Sequence, residues 1–173
     1  MTKKTMWKVI TLLSVIIIAI AVDLVSKYVL DARLVLDGNE VSAIPHLIDF
    51  KLVHNDGAAW GILAGKQAFL IFLAVVFIAI FVWYYIKEKN KTWLLTISVG
   101  LLVAGTVGNL FDRIFFGYVR DFLMFDFWKS FPVFNFADVL LCIGVVLFAI
   151  YLIVYFVKNK KKVKPEDENG KES

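Results

Sequence analysis

The chain has 173 residues, a formal charge of +4 and a mean hydropathy of +0.76, and 60% of its residues are hydrophobic. An apolar share this far above the roughly 45–50% of soluble domains places most of it in a membrane, and the surplus lysines lie beside apolar runs, which favours membrane topology over nucleic-acid binding. The single cysteine, Cys142, lies in an apolar run; it excludes an internal disulfide framework or a cysteine-rich metal site and reads as a small buried hydrophobe.

A hydrocarbon core of about 30 Å takes about 20 apolar residues as helix, and four stretches qualify. The first, residues 9–30, contains Asp23 and Lys27. Its apolar residues, worth roughly −0.3 to −0.6 kcal/mol each, outweigh an acid near one end. It begins like a secretory signal but offers no A-x-A site, so it reads as an uncleaved span. Loop 31–67 holds three strand-like runs, Leu34-Val35-Leu36, Val41 to Ile44 and Leu47 to Val53, separated by Asp37-Gly38 and Pro45. They predict a small sheet on the outer membrane face.

Spans 68–86 and 93–111 follow, then loop 112–138 and a fourth span, 139–157. Residues 1–157 read as one domain. Residues 158–173, a lysine run followed by Pro165-Glu166-Asp167-Glu168, are too polar to bury a core and read as a disordered tail. Lysines flank the first span (Lys3, Lys4, Lys8), separate the second from the third (Lys87, Lys89, Lys91) and follow the fourth (Lys158, Lys160, Lys161, Lys162, Lys164). Basic flanks stay in the cytoplasm. Both termini are therefore expected inside and both long loops outside.

Ionisable groups at membrane depth are costly and are functional by default. Asp23, Lys27, Asp112, Arg113, Asp121 and Asp138 all fall near the outward ends of the spans or in the last outer loop, so they can converge in one layer. Asn109 and Asp112 share a helix face, whereas Arg113 diverges and needs another carboxylate, for which Asp23 is the candidate. Gly100, Ala104, Gly105 and Gly108 read as close-packing positions. Singly, Asp138 reads as a helix cap and Asp121 as a solvated loop acid, while Asp56 reads as a turn residue whose position at the outer face leaves a minor substrate contact open. As a pair about 3 Å apart, two carboxylates would repel by roughly 5 kcal/mol, and one would hold a proton. That gives a base for water and a donor for a carbonyl. Spacing alone does not show that Asp121 and Asp138 meet. There is no G-x-S-x-G elbow, no H-E-x-x-H and no metal-ligand spacing around His46 or His54.

Five local patterns occur in one order across nearly the whole chain: Asp23 with Lys27; Asn55-x-Gly57-Ala58-Ala59-Trp60; Gly105-x-x-Gly108-Asn109-x-x-Asp112-Arg113; Val119-x-Asp121-Phe122; and Phe134-Asn135-x-Ala137-Asp138. Together they resemble the lipoprotein signal peptidase (signal peptidase II) family. Ala104 stands where that family usually has glycine, and Trp60 where phenylalanine is common. The resemblance implies an all-α integral membrane fold: a four-transmembrane-helix bundle with a small outer β-sheet and an interfacial helix around Phe122 to Ser130. It implies an aspartic endopeptidase of the bacterial cytoplasmic membrane that cuts diacylglyceryl-modified prolipoproteins just before the lipidated cysteine. By resemblance Asp121 and Asp138 are catalytic, while Asp23, Lys27, Asn55, Gly57, Asn109, Asp112, Arg113 and Asn135 support the site or hold substrate. No metal or other cofactor and no nucleic acid is expected; membrane lipids are partners and the chain is expected to act as a monomer.

Two rivals make different demands. A proton-coupled transporter would place polar residues along the inner half of the spans, yet span two has none at depth. A membrane scaffold would tolerate loss of Asp121 and Asp138. The aromatic run Phe115, Phe116, Tyr118, Phe122, Phe125, Phe127 and Trp128 fits a mobile lid and an interfacial belt equally well.

Overall fold

A computed structural model describes residues 2–36 and 38–163. It contains four helices, α1 (Lys3–Asp31), α2 (Gln67–Lys87), α3 (Trp93–Phe115) and α4 (Phe136–Val163), and three strands, β1 (Val41–Ile44), β2 (Ile48–Asn55) and β3 (Val119–Phe125). All four helices are long and apolar enough to cross a membrane. At about 1.5 Å per residue, the 29 residues of α1 extend about 43 Å, well beyond a hydrocarbon core of about 30 Å. Hydropathy thus omits the first turns of α1, where Lys3, Lys4 and Lys8 lie. In α4, Lys158 and Lys160 continue the helix rather than opening a disordered tail, since lysine forms helix readily and its stem can follow apolar surface. The remainder of the tail expected over 158–173, residues 164–173, lies outside the described residues.

α3 is the central helix. Leu95, Val99, Leu102, Val103 and Ala104 are buried, whereas α1, α2 and α4 turn Val, Ile and Phe side chains outward, as lipid requires. Small residues set the approach: a Cβ on Gly105 would strike the Ala137 carbonyl and Leu141 of α4, and one on Gly144 would strike Leu102. At the end of the bundle remote from the sheet, Tyr85, Leu95, Val99, Val103 and Tyr151 form the main apolar cluster.

The strands make one antiparallel sheet in the order β1-β2-β3. Leu34 to Leu36 lie outside any strand, and the third strand comes from the later loop. The interfacial helix expected around Phe122 to Ser130 is absent among the described residues; Phe122 to Phe125 belong to β3. The backbone hydrogen bonds explain this correction. β3 pairs with β2 along its length, with His54 opposite Arg120 and Val53 opposite Asp121, while Phe122 and Leu123 also bond to Phe134. One extra β2 residue between Phe50 and Val53 breaks the register as a bulge does.

Gly117 places this strand. Its φ of 81° is the left-handed conformation that ends α3, with its N–H on the Arg113 carbonyl. The chain therefore turns back at once, and the Arg120 N–H lands on the Asp112 carboxylate at 3.0 Å. Asp121 follows directly.

Candidate active site

α4 begins with a reciprocal cap. The Asn135 side-chain oxygen accepts the Asp138 N–H at 3.1 Å, and the Asp138 carboxylate accepts the Asn135 N–H at 3.0 Å. Asn135 therefore takes the cap position that the sequence offered to Asp138. Its side-chain NH2 is shared between Asp121 at 2.7 Å and Asn109 at 3.0 Å. Asn109 in turn donates to the other Asp138 oxygen at 2.8 Å. Asp121 and Asp138, on different elements, are thus linked through Asn135 directly and through Asn109 at one remove. Both line a cavity of about 420 Å³.

Asp121 accepts a second bond from Asn55 at 2.8 Å, and the Asn55 oxygen accepts the Gly57 N–H at 2.9 Å. Gly57 is held from its other side by Arg113, which donates to its carbonyl at 2.9 Å. A Cβ on Gly57 would collide with the Ile62 carbonyl, so this turn closes only around glycine. Burial, reinforced by the nearby Asp138 charge, pushes the Asp121 carboxyl up to about 7, against the opposing pull of the Asn55 and Asn135 bonds. Asp121 therefore holds a proton over much of the pH range in which an ordinary aspartate has lost it.

Behind the pair lies a fully buried charge cluster. The Lys27 ammonium bonds Asp23 at 2.9 Å and the Asn109 oxygen at 3.0 Å, and stands 3.6 Å from Asp112. Asp112 also takes Arg120 at 2.8 Å, and the Arg120 guanidinium lies over the Phe116 ring. Two cations thus match two anions. Asp23 additionally accepts the Ala137 N–H at the start of α4 at 2.9 Å, which ties α1 to α4.

All ten residues singled out from the sequence join one network of hydrogen bonds and ion pairs, Asp112 through its 3.6 Å ion pair with Lys27, yet one expected pair does not form. Arg113 does not meet Asp23, because Lys27, one turn away on α1, takes that carboxylate. Arg113 instead holds the Gly57 carbonyl and lines the cavity beside both acids. Cys142 is also corrected: it is exposed and lines the cavity one turn beyond Asp138. Arg120 was not singled out, although an arginine inside the apolar run from Val119 to Phe125 was a usable sign of a buried ion pair. Trp60 and Phe131 pack edge to face across the cavity wall, while Phe122 is buried in β3 and Phe115, Phe127 and Trp128 are exposed. One aromatic run thus serves both core and surface.

The family model described as signal peptidase (SPase) II matches residues 15–154. Lipoprotein signal peptidases of Staphylococcus aureus strains JH9 and Newman are each 34% identical to the chain over 153 residues, covering 88% of it and 93% of the relative. Among solved structures, a bacterial membrane enzyme determined by the in meso method at 2.3 Å superimposes with a TM-score of 0.78 at 30% identity, covering 91% of this chain and 93% of the other. A second, determined at 1.9 Å, gives 0.75 at 33% identity, covering 82% and 92%.

Proposed function

The chain belongs to the signal peptidase II family, and from that premise we propose that it is an aspartic endopeptidase which removes signal peptides from diacylglyceryl-modified prolipoproteins, with Asp121 and Asp138 as its catalytic pair. The observation that carries this reading is the asymmetric sharing of Asn135 by two acids that line one cavity. Asp121 keeps a proton near neutral pH, whereas Asp138 sits in the first turn of α4, where the helix dipole favours negative charge.

The scissile carbonyl, just before the lipidated cysteine, lies between the two carboxyls. Asp138 takes a proton from water as its oxygen attacks the carbonyl carbon, while Asp121 gives its proton to the carbonyl oxygen. The C–O bond forms and a gem-diol results. On collapse Asp121 recovers a proton from one hydroxyl, Asp138 passes its proton to the amide nitrogen, and the C–N bond breaks. The pair titrates as a unit, so this assignment describes where the shared proton rests at the start. Arg113 and Asn55 hold the Gly57 turn against the cavity, which keeps one wall of the peptide channel in place. Both termini face the cytoplasm and the polar layer faces outward.

The test is cleavage of a diacylglyceryl-modified lipobox peptide by purified protein in detergent. Asp121→Asn and Asp138→Asn should each lose about 10²–10⁴-fold in turnover at matched folded yield. Retention of turnover by either variant would remove that residue from the mechanism.

A further inference from the structure

At the end of the bundle remote from the carboxylate pair, a second cavity of about 510 Å³ opens between the start of α3 and the end of α4. Its rim is polar, formed by Asn90, Thr92, Lys158 and Asn159, and its wall is the side of Leu94, Val154 and Tyr155. Val154 and Tyr155 are partly exposed on the outward face of α4. The cavity is therefore amphiphilic along the bundle axis, with donors at the helix ends and apolar surface toward the membrane interior. None of its residues takes part in the catalytic network.

Charge narrows the occupant. Lys158 forms no ion pair among the described residues, and Lys87, Lys89 and Lys91 crowd the neighbouring turn. The one acid described at this end, Glu88, is already engaged by the Asn90 N–H at 2.7 Å and the Tyr151 hydroxyl at 3.2 Å. Lys91 is turned onto the Ile86 and Glu88 carbonyls and lies over the Tyr85 ring, which leaves Lys158 as the cation of the cavity itself. A basic rim above an apolar wall at a helix-bundle end fits a lipid whose anionic head meets the rim and whose acyl chain follows the wall.

We propose that this cavity binds one anionic glycerophospholipid, its phosphodiester held by Lys158, Asn90 and Asn159 and one acyl chain lying along Leu94, Val154 and Tyr155. The site is independent of the protease assignment. The experiment is native mass spectrometry of the full chain in a non-ionic detergent, titrated separately with dioctanoyl phosphatidylglycerol, dioctanoyl phosphatidylcholine and inorganic phosphate. Phosphatidylglycerol should saturate at one molecule per chain and bind at least about tenfold more tightly than the other two. Lys158→Glu should weaken it by about tenfold or more, while Lys160→Glu, an equal charge change two residues along α4, should alter it less than about twofold. Equal weakening by both variants would overturn the site in favour of diffuse attraction. Equal binding of phosphatidylcholine would overturn the charge requirement, and equal binding of inorganic phosphate would overturn the lipid.

Discussion

Asp121 shows how one side chain can carry both a catalytic requirement and a cost. Its proton is held in the native state up to about pH 7, whereas an exposed aspartate loses it near 3.8. A carboxyl with a raised native pKa contributes stability that is complete below the unfolded value and is lost as pH rises through the native one. Unfolding free energy should therefore fall between about pH 4 and pH 7, by at most about 4 kcal/mol from this group. Asp121→Asn should flatten that fall. The asparagine offers one acceptor where Asn55 and Asn135 present two donors, so it should be less stable than wild type at pH 5 and should match or exceed it at pH 8. Thermal unfolding in detergent at both pH values checks this; parallel profiles for the two proteins would mean that Asp121 does not hold the proton. On the proposed mechanism, turnover should decline along the same alkaline limb.

The helices were legible in outline because lipid imposes a simple rule: a span must satisfy its own backbone and expose apolar side chains. Their ends were not, since α1 and α4 continue through lysines that hydropathy counts as boundary. β3 was missed for a different reason. Val119 to Phe125 pairs with Ile48 to Asn55, a partner about 70 residues earlier in the chain, and no local pattern records a non-local pairing. Within the site, the sequence presented every member of the network except Arg120, but not the pairings: Asp23 lies within reach of both Lys27 and Arg113 as a matter of depth, and only helix rotation decides for Lys27. Gly108 belongs to this scale, because its role is to let α3 pass α1. A Cβ there would overlap the Asp23 carboxylate and touch Ala137. Gly108→Ala should cost about 1–3 kcal/mol through overpacking, and more if the Lys27 pair is displaced. Gly100→Ala meets only the Val15 and Leu12 side chains, which can shift, so it should cost clearly less. Comparing the two midpoints of unfolding at equal lipid content tests this; equal costs would show that the Asp23 contact is not special.

Over the whole molecule, the two ends of the bundle are built on different principles. The remote end closes with Tyr85, Leu95, Val99, Val103 and Tyr151, where apolar volume is what matters. The other end closes with charge: Asp23 and Lys27 from α1, Asp112 from α3 and Arg120 from β3, all buried. Removing one member of such a cluster leaves an uncompensated ion, which typically costs about 3–5 kcal/mol. Lys27→Met should therefore be severely destabilising, because it strands Asp23 and removes the donor to Asn109, which in turn carries Asp138. Adding Asp23→Asn to Lys27→Met removes the stranded charge and should restore part of the loss, even though Asp23→Asn alone destabilises the wild type. A double-mutant cycle measured by thermal unfolding then returns a coupling of about 1–3 kcal/mol, whereas additive losses would mean the charges do not act together. The same cycle read as turnover should show that the recovered fold does not recover full activity, because Asn109 still lacks the ammonium that fixes its orientation toward Asp138.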